Sequence, residues 1–271
     1  MVASSRVLAR IAQQVRRYQS ILTAARSRDV SEADTVSIIR DMLADVLGYN
    51  KFSEVTTELA IRGTFVDLAV TVEESIRFLV EVKAIGIELK DNHVRQAIDY
   101  GANKGIEWVV LTNGIRWRVY RILFKQPIDK SLVFECDLVE TSAKDNQLLE
   151  CFGNISREGY TPSSMNEFYQ QRQAVSRFTI GALLVSEPVL DVLRRELRRI
   201  APSVKVDEEF LRDVLENEVI KRDLLDSEHT AEAKKLVRKS RKVTLRQVRK
   251  AVNEKPASLD AVESESAGEQ V

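Results

Sequence analysis

The sequence predicts a mixed α/β domain, one sheet covered by helices in the order αβββαββ, followed by an all-α C-terminal extension. Two observations carry this expectation. Apolar spacing changes from helical to alternating after Gly48, and returns to helical at about Asn92. Beyond about residue 140 strand character fades, and from Phe178 to about Lys250 the apolar pattern is helical throughout.

Residues 4–26 read as an amphipathic helix, with Val7, Leu8, Ile11, Val15, Tyr18, Ile21 and Leu22 at helical spacing. The first 28 residues hold six arginines and no acid, a composition shared with organellar transit peptides. The apolar stripe runs on into a domain that needs covering, so the expectation is a packing helix. Ser31 offers an N-cap, and Glu32 and Asp34 fall in the first turn, where the helix dipole favours anions. Val36, Ile39, Met42, Leu43, Val46 and Leu47 form the stripe that Gly48 closes. Three strands follow, at Val55–Ile61, Phe65–Val72 and Ile76–Lys83. A helix spans about Asn92–Lys104. Strands at Trp108–Leu111 and Arg116–Ile122 flank the turn Thr112-Asn113-Gly114, and Ser131–Val139 reads as a sixth strand. The expected domains are residues 1–140, a polar connector with short helices at 141–177, a helical extension at 178–251, and a disordered acidic tail at 252–271.

Composition narrows the function classes. The 271 residues are 44% hydrophobic, enough for a buried core and one or two domains. Cationic and acidic residues balance at 41 each, so net charge names no partner. Two cysteines, Cys136 and Cys151, make no disulfide scaffold and fit a reducing compartment; both are expected to be buried and inert. Two separated histidines, His93 and His229, argue against a zinc cluster. The longest apolar run, Phe178–Val185, is too short to span a bilayer, and no phosphate-binding G-x-x-x-x-G-K-[ST] loop is present.

One constellation carries chemistry. A hairpin turning at Glu73-Glu74-Ser75 sets Thr71 opposite Arg77 and, in the same register, Asp67 opposite Glu81. Lys83, two residues on, shares their face. Val66, Leu68, Val70, Val80 and Val82 are expected on the other. Opposed like charges ask for a cation, and Mg²⁺ suits a site of one or two carboxylates completed by water and a phosphate oxygen. Such an ion polarises phosphate, while a lysine neutralises charge or orients water. The plainer account is a surface Glu81–Lys83 ion pair beside an unremarkable aspartate.

The surroundings separate the two accounts. Ser31-Glu32-Ala33-Asp34-Thr35, Leu47-Gly48-Tyr49, Phe65-Val66-Asp67, Val80-Glu81-Val82-Lys83-Ala84, Gln96-Ala97-Ile98-Asp99-Tyr100 and Val110-Leu111-Thr112-Asn113-Gly114 succeed one another over residues 30–122. In order and spacing this stretch resembles the PD-(D/E)xK nuclease superfamily, specifically the N-terminal domain of the restriction subunit of type I restriction enzymes. The resemblance implies a restriction-endonuclease-like core and a metal-dependent deoxyribonuclease using Mg²⁺, with Mn²⁺ expected to substitute. It assigns Asp67, Glu81 and the carbonyl of Val82 to the metal, and the catalytic lysine role to Lys83. Glu32 becomes the first-helix carboxylate near the metal or its water, against a purely dipolar role. Gln96 and Tyr100 become a Gln-x-x-x-Tyr pair near the active site and DNA backbone, against simple packing of that helix on the sheet. Val66 stands where the superfamily's name has proline. Type I subunits continue into a translocating motor, of which no motif is seen, so a stand-alone nuclease is expected.

Residues 233–250 hold nine basic residues and no acid. Lys234, Lys235, Arg238, Lys239, Arg241, Lys242 and Arg246 are the expected DNA contacts. Leu236, Val237, Val243, Leu245 and Val248 are interleaved as a partly buried stripe. A solvated face balanced by the acidic tail is the other reading. The expected reaction is hydrolysis of DNA to 5′-phosphate ends, in a prokaryotic cytoplasm and a restriction, phage-defence or mobile-element setting. A homodimer would supply the second active site that a double-strand cut needs, and a restriction-complex partner is the other expected associate. The alternative is a non-catalytic or partner-dependent DNA-binding subunit.

Overall fold

A computed structural model describes residues 3–61, 64–203, 205–225 and 227–253, with the side chains of 58–65, 228 and 243–253 outside that description. The chain forms two compact units, Met1–Arg172 and Gln173–Val271.

The first unit opens with α1 (Ser5–Ser27), which buries Val7, Ile11, Val15, Tyr18, Leu22 and Ala25 along one stripe. It is the packing helix the periodicity implies. Helix α2 (Glu32–Asp45) is capped by Ser31, whose Oγ accepts the Asp34 N–H at 3.2 Å. The chain leaves this helix at Gly48, whose φ of +85° only glycine adopts cheaply.

Strands β1 (Val55–Ile61), β2 (Thr64–Val72), β3 (Ser75–Val82), β4 (Trp108–Thr112), β5 (Arg116–Leu123) and β6 (Asp129–Asp137) form one six-stranded sheet in sequence order. Every neighbouring pair is antiparallel except β3–β4. A parallel pair needs a crossover, and α3 (Arg95–Lys104) provides it.

The sheet separates two apolar clusters. On one face Leu68, Val70, Val80 and Val82 join the stripes of α1 and α2. On the other, Ala69, Leu79, Val109 and Leu111 pack with Ala97, Ile98 and Tyr100 of α3. Val66 belongs to this second cluster, not to the face of Leu68 where strict alternation puts it.

Residues 142–173 are less of a connector than their polarity suggests. They form α4 (Asn146–Ile155) and α5 (Pro162–Ala174). Leu148, Cys151, Phe152, Ile155, Met165 and Phe168 enter the first cluster, with the Phe152 ring tilted against Trp117, centroids 5.2 Å apart. Cys136 and Cys151 are free and buried, and burial pushes the Cys136 thiol up to about 12.

The second unit is helical: α6 (Arg177–Leu184), α7 (Glu187–Ile200), α8 (Glu208–Val214) and α9 (Glu228–Asn253), with a π-helical turn at Leu215–Val219 and a 3₁₀ turn at Arg222–Leu224. Phe178 and Ala182 of α6 pack on Ala233 and Val237 of α9. The tail expected at 252–271 lies outside the described residues, apart from 252 and 253 at the end of α9. Among the described residues no helix is long and apolar enough to cross a membrane.

Candidate active site

The β2–β3 hairpin brings the acidic pair together by a route the sequence conceals. At its tip Thr71 pairs with Ile76, not with Arg77. A bulge between Val70 and Thr71 absorbs the extra residue, so that Val70 meets Phe78 and Leu68 meets Val80. One step further along both strands, Asp67 stands opposite Glu81. There the Val82 N–H donates to Asp67 Oδ2 at 2.7 Å, and the aspartate takes the place of a backbone partner.

Lys83 follows the last residue of β3, and its N–H extends the parallel ladder by donating to the Thr112 carbonyl at 2.9 Å. Its ammonium donates to Glu81 Oε1 at 2.9 Å and lies 3.6 Å from Glu32 Oε1, at the start of α2. Four expected residues, Glu32, Asp67, Glu81 and Lys83, thus meet at the carboxyl end of β3.

Their electrostatics are strained. Glu81 is 6% exposed, and its Oε2 is buried without a hydrogen-bond partner. Burial and the charge of Asp67 push the Glu81 carboxyl up to about 7, against the opposing hydrogen bond and charge of Lys83. Burial also works against the Lys83 charge. Its hydrogen bond to Glu81 and the fields of Glu81, Asp67 and Glu32 outweigh that, raising the ammonium above the usual lysine range.

Among the described residues no group of three or more His, Cys, Asp or Glu could hold a metal ion. A zinc or calcium cage of protein ligands therefore finds no support there. The donor set fits Mg²⁺, which binds through one or two carboxylates and keeps its waters. The orphaned Oε2 of Glu81 and its repulsion from Asp67 are what such an ion would relieve.

Two residues to which the sequence assigns no chemistry, Asn113 of the β4–β5 turn and His93, border this cluster. Asn113 is buried, and its carboxamide makes four hydrogen bonds. Nδ2 donates to the carbonyls of Ile85 (3.3 Å) and Ile87 (2.9 Å), and Oδ1 accepts from the Ile115 (3.1 Å) and Arg116 (2.8 Å) amides. It ties the segment after Lys83 to the β4–β5 turn. Further along that segment Arg118 donates to the Leu89 carbonyl at 3.0 Å and Lys130 to that of Asp91 at 2.8 Å. His93 accepts the Lys90 N–H at Nδ1, 3.2 Å away, and partial burial with the charges of Lys83 and Lys90 lowers its pKa. A histidine three residues before Gln96 was the one sequence signal for it.

Gln96 and Tyr100 both lie on α3, one turn apart, Gln96 exposed and Tyr100 buried in the second cluster. Burial raises the Tyr100 phenol. Tyr100 thus packs the helix onto the sheet. In the second unit, Lys235, Arg238, Lys239 and Lys242 are exposed on α9, Lys234 is half-buried, and Arg241 pairs with Glu187 at 3.1 Å. Val237 is buried as the interleaved pattern implies, whereas Leu236 is exposed. The side chain of Arg246, like those of Val243, Leu245 and Val248, lies outside the described residues.

Residues 39–129 match the family model described as the type I restriction enzyme R protein N terminus. The match covers about a third of the chain and includes Asp67, Glu81, Lys83, Gln96 and Tyr100; Glu32 precedes it. No curated protein and no solved structure matches the chain. The first unit therefore carries, within a mixed α/β sheet flanked by helices, a region similar to the type I restriction enzyme R protein N terminus.

Proposed function

We propose that the first unit is a PD-(D/E)xK-type nuclease that hydrolyses DNA phosphodiester bonds with Mg²⁺, or Mn²⁺ in its place. The observation that carries this reading is the buried Glu81 carboxylate, set against Asp67 and bonded to Lys83 with one oxygen unsatisfied. A purely structural ion pair has no use for the second acid.

Asp67 and Glu81 would hold the ion, with the Val82 carbonyl as a further ligand. When bound, the ion supplies a Lewis acid toward the phosphate and a more acidic water. Lys83 stays cationic at neutral pH, because its neighbours raise its pKa. It therefore donates hydrogen bonds and offsets charge developing on the phosphate, and does not take a proton as a base. Glu32 gives the ammonium a second anchor and limits its swing. Asn113 fixes the backbone after Lys83, so the ammonium is presented from a rigid strand end. Gln96, exposed on α3, keeps the role of lying near the site and the DNA backbone, while Tyr100 packs that helix on the sheet beneath it. A restriction or defence setting in a prokaryotic cytoplasm follows from the same reading, as does a homodimer for double-strand cuts.

A second reading is favoured by the description of the matched family, which names one protein of a multi-protein enzyme. On that reading the cluster cuts only with a partner. Incubation of supercoiled, linear and single-stranded DNA with Mg²⁺, Mn²⁺ or EDTA tests both, with Lys83→Ala alongside. Metal-dependent cutting lost in the variant is the expected result. Intact DNA in every condition sinks the autonomous nuclease and leaves the partner-dependent subunit.

A further inference from the structure

The structure divides the basic residues of α9 by what each one faces, and the division selects a partner. Val237 and Ala233 are the buried positions against α6. At about 100° per residue, Lys235, Lys239 and Lys242 stand roughly 140–160° around the helix from Val237. All three are exposed. Arg238 sits on the flank of that face, also exposed. Arg241 and Lys234 fall near the packing stripe instead, both half-buried, with Arg241 held by Glu187 at 3.1 Å.

We propose that Lys235, Lys239 and Lys242, flanked by Arg238, form a rail that grips the phosphate backbone of duplex DNA without reading sequence, and that Arg241 and Lys234, on the packed side of the helix, lie outside it. Seven helical steps, from Lys235 to Lys242, carry the three lysines along about 10 Å, a length over which one DNA strand presents about three phosphates. The Arg241–Glu187 pair engages Arg241 with the start of α7 and away from the rail.

The chemistry favours nucleic acid over an anionic membrane. An interfacial helix buries an apolar face among lipid tails. Here the buried apolar positions Ala233 and Val237 are spent on α6, Leu236 is an exposed apolar side chain off to one side, and the outward face between residues 235 and 242 is cationic. Acidic phosphates in an extended row are its complement. The partner class rests on the nuclease reading of the first unit, whereas the choice of residues rests on α9 alone.

The test measures binding of the full chain to a fluorescent 30-base-pair duplex in EDTA, by anisotropy across a salt series. The slope of log affinity against log salt counts released counterions, close to one per phosphate contact. The triple substitution Lys235→Gln, Lys239→Gln, Lys242→Gln is expected to flatten that slope by about three and weaken binding uniformly across duplex sequences. Lys234→Gln and Arg241→Gln, made singly, are expected to leave the slope unchanged. Flattening by about one in either inward variant, or an unchanged slope in the triple variant, overturns the rail. Binding to vesicles of 30% phosphatidylserine with none to duplex also overturns it. Because EDTA removes cleavage from the measurement, DNA binding with no cutting in Mg²⁺ counts against the nuclease and not the rail. Cutting with no dependence on these lysines counts against the rail alone.

Discussion

Asp67 is held by the strand that carries its partners: the Val82 amide, between Glu81 and Lys83, donates to Asp67 Oδ2 at 2.7 Å. This bond fixes one carboxylate oxygen and directs the negative charge of Asp67 against Glu81. Asp67→Asn keeps an acceptor for the Val82 N–H and removes the charge. The variant is expected to fold, to lose on the order of 10²–10³-fold in cleavage rate, and to lower the Glu81 pKa from about 7. Carboxyl ¹³C chemical shifts against pH read the last effect; an unmoved Glu81 would separate the two acids.

Glu81 makes the metal-free protein sensitive to pH in a stated direction. Its pKa is about 7 in the folded chain against 4.5 for the free side chain. The folded state therefore binds the proton more readily than the unfolded one. Its stabilising effect is fully present below about pH 4.5 and is lost as pH rises through about 7, a change of roughly 3 kcal/mol. Glu81→Gln removes this dependence. Urea denaturation in EDTA at pH 5.5 and pH 8 should show the wild type losing stability between the two, with the variant losing less.

The same proton competes with metal. Mg²⁺ at about 100 times its dissociation constant adds about 2.7 kcal/mol. For a unit of this size that is a rise of roughly 5–10 °C in Tm. The rise should be larger at pH 8 than at pH 5.5, where Glu81 must first deprotonate, and absent in Asp67→Asn and Glu81→Gln. Calorimetry with and without EDTA checks it, and an equal rise in the variants would place the metal elsewhere.

Removal of the Asn113 carboxamide leaves two carbonyls and two amides without their partner. Asn113→Ala is expected to cost about 2–4 kcal/mol and to lower cleavage more than DNA binding, since the segment after Lys83 loosens. Equilibrium unfolding and paired cleavage and binding assays read the two effects separately.

Phe152→Ala tests whether α4 belongs to the first core. The ring is fully buried and packs at a tilt against Trp117. Its loss should cost about 3–5 kcal/mol. A cost below about 1 kcal/mol would return 142–173 to the status of a connector.

Much of this fold is legible in the sequence because local rules agree with global ones. Ser31, Glu32 and Asp34 announce the start of α2, and the alternation from Val55 announces the strands. Where the reading slips, a long-range cause is at work. The bulge at Val70–Thr71 leaves no mark on the residues themselves, yet it preserves the Asp67–Glu81 register that a simple hairpin count anticipates. Val66 departs from alternation beside the polar Asp67. Helices α4 and α5 looked like a connector because Asn146, Gln147, Glu150 and Asn154 dilute a stripe at Leu148, Cys151, Phe152 and Ile155, whose destination only the folded sheet reveals. Asn113 reads as a turn former, and its grip on Ile85 and Ile87 spans 26–28 residues.

The β3–β4 pairing has a kinetic consequence. It is the one parallel junction in the sheet, and its strands meet only after the chain has travelled through α3. Non-local closure of this kind comes at a high entropic cost and slows folding. The Lys83 amide is bonded to Thr112, so the lysine's backbone is set only once β4 is in place. A nascent chain ending before Thr112 therefore has both carboxylates but no fixed lysine. Hydrogen exchange at the Lys83 amide should be as slow as exchange in the middle of β4, opening only when the whole sheet does.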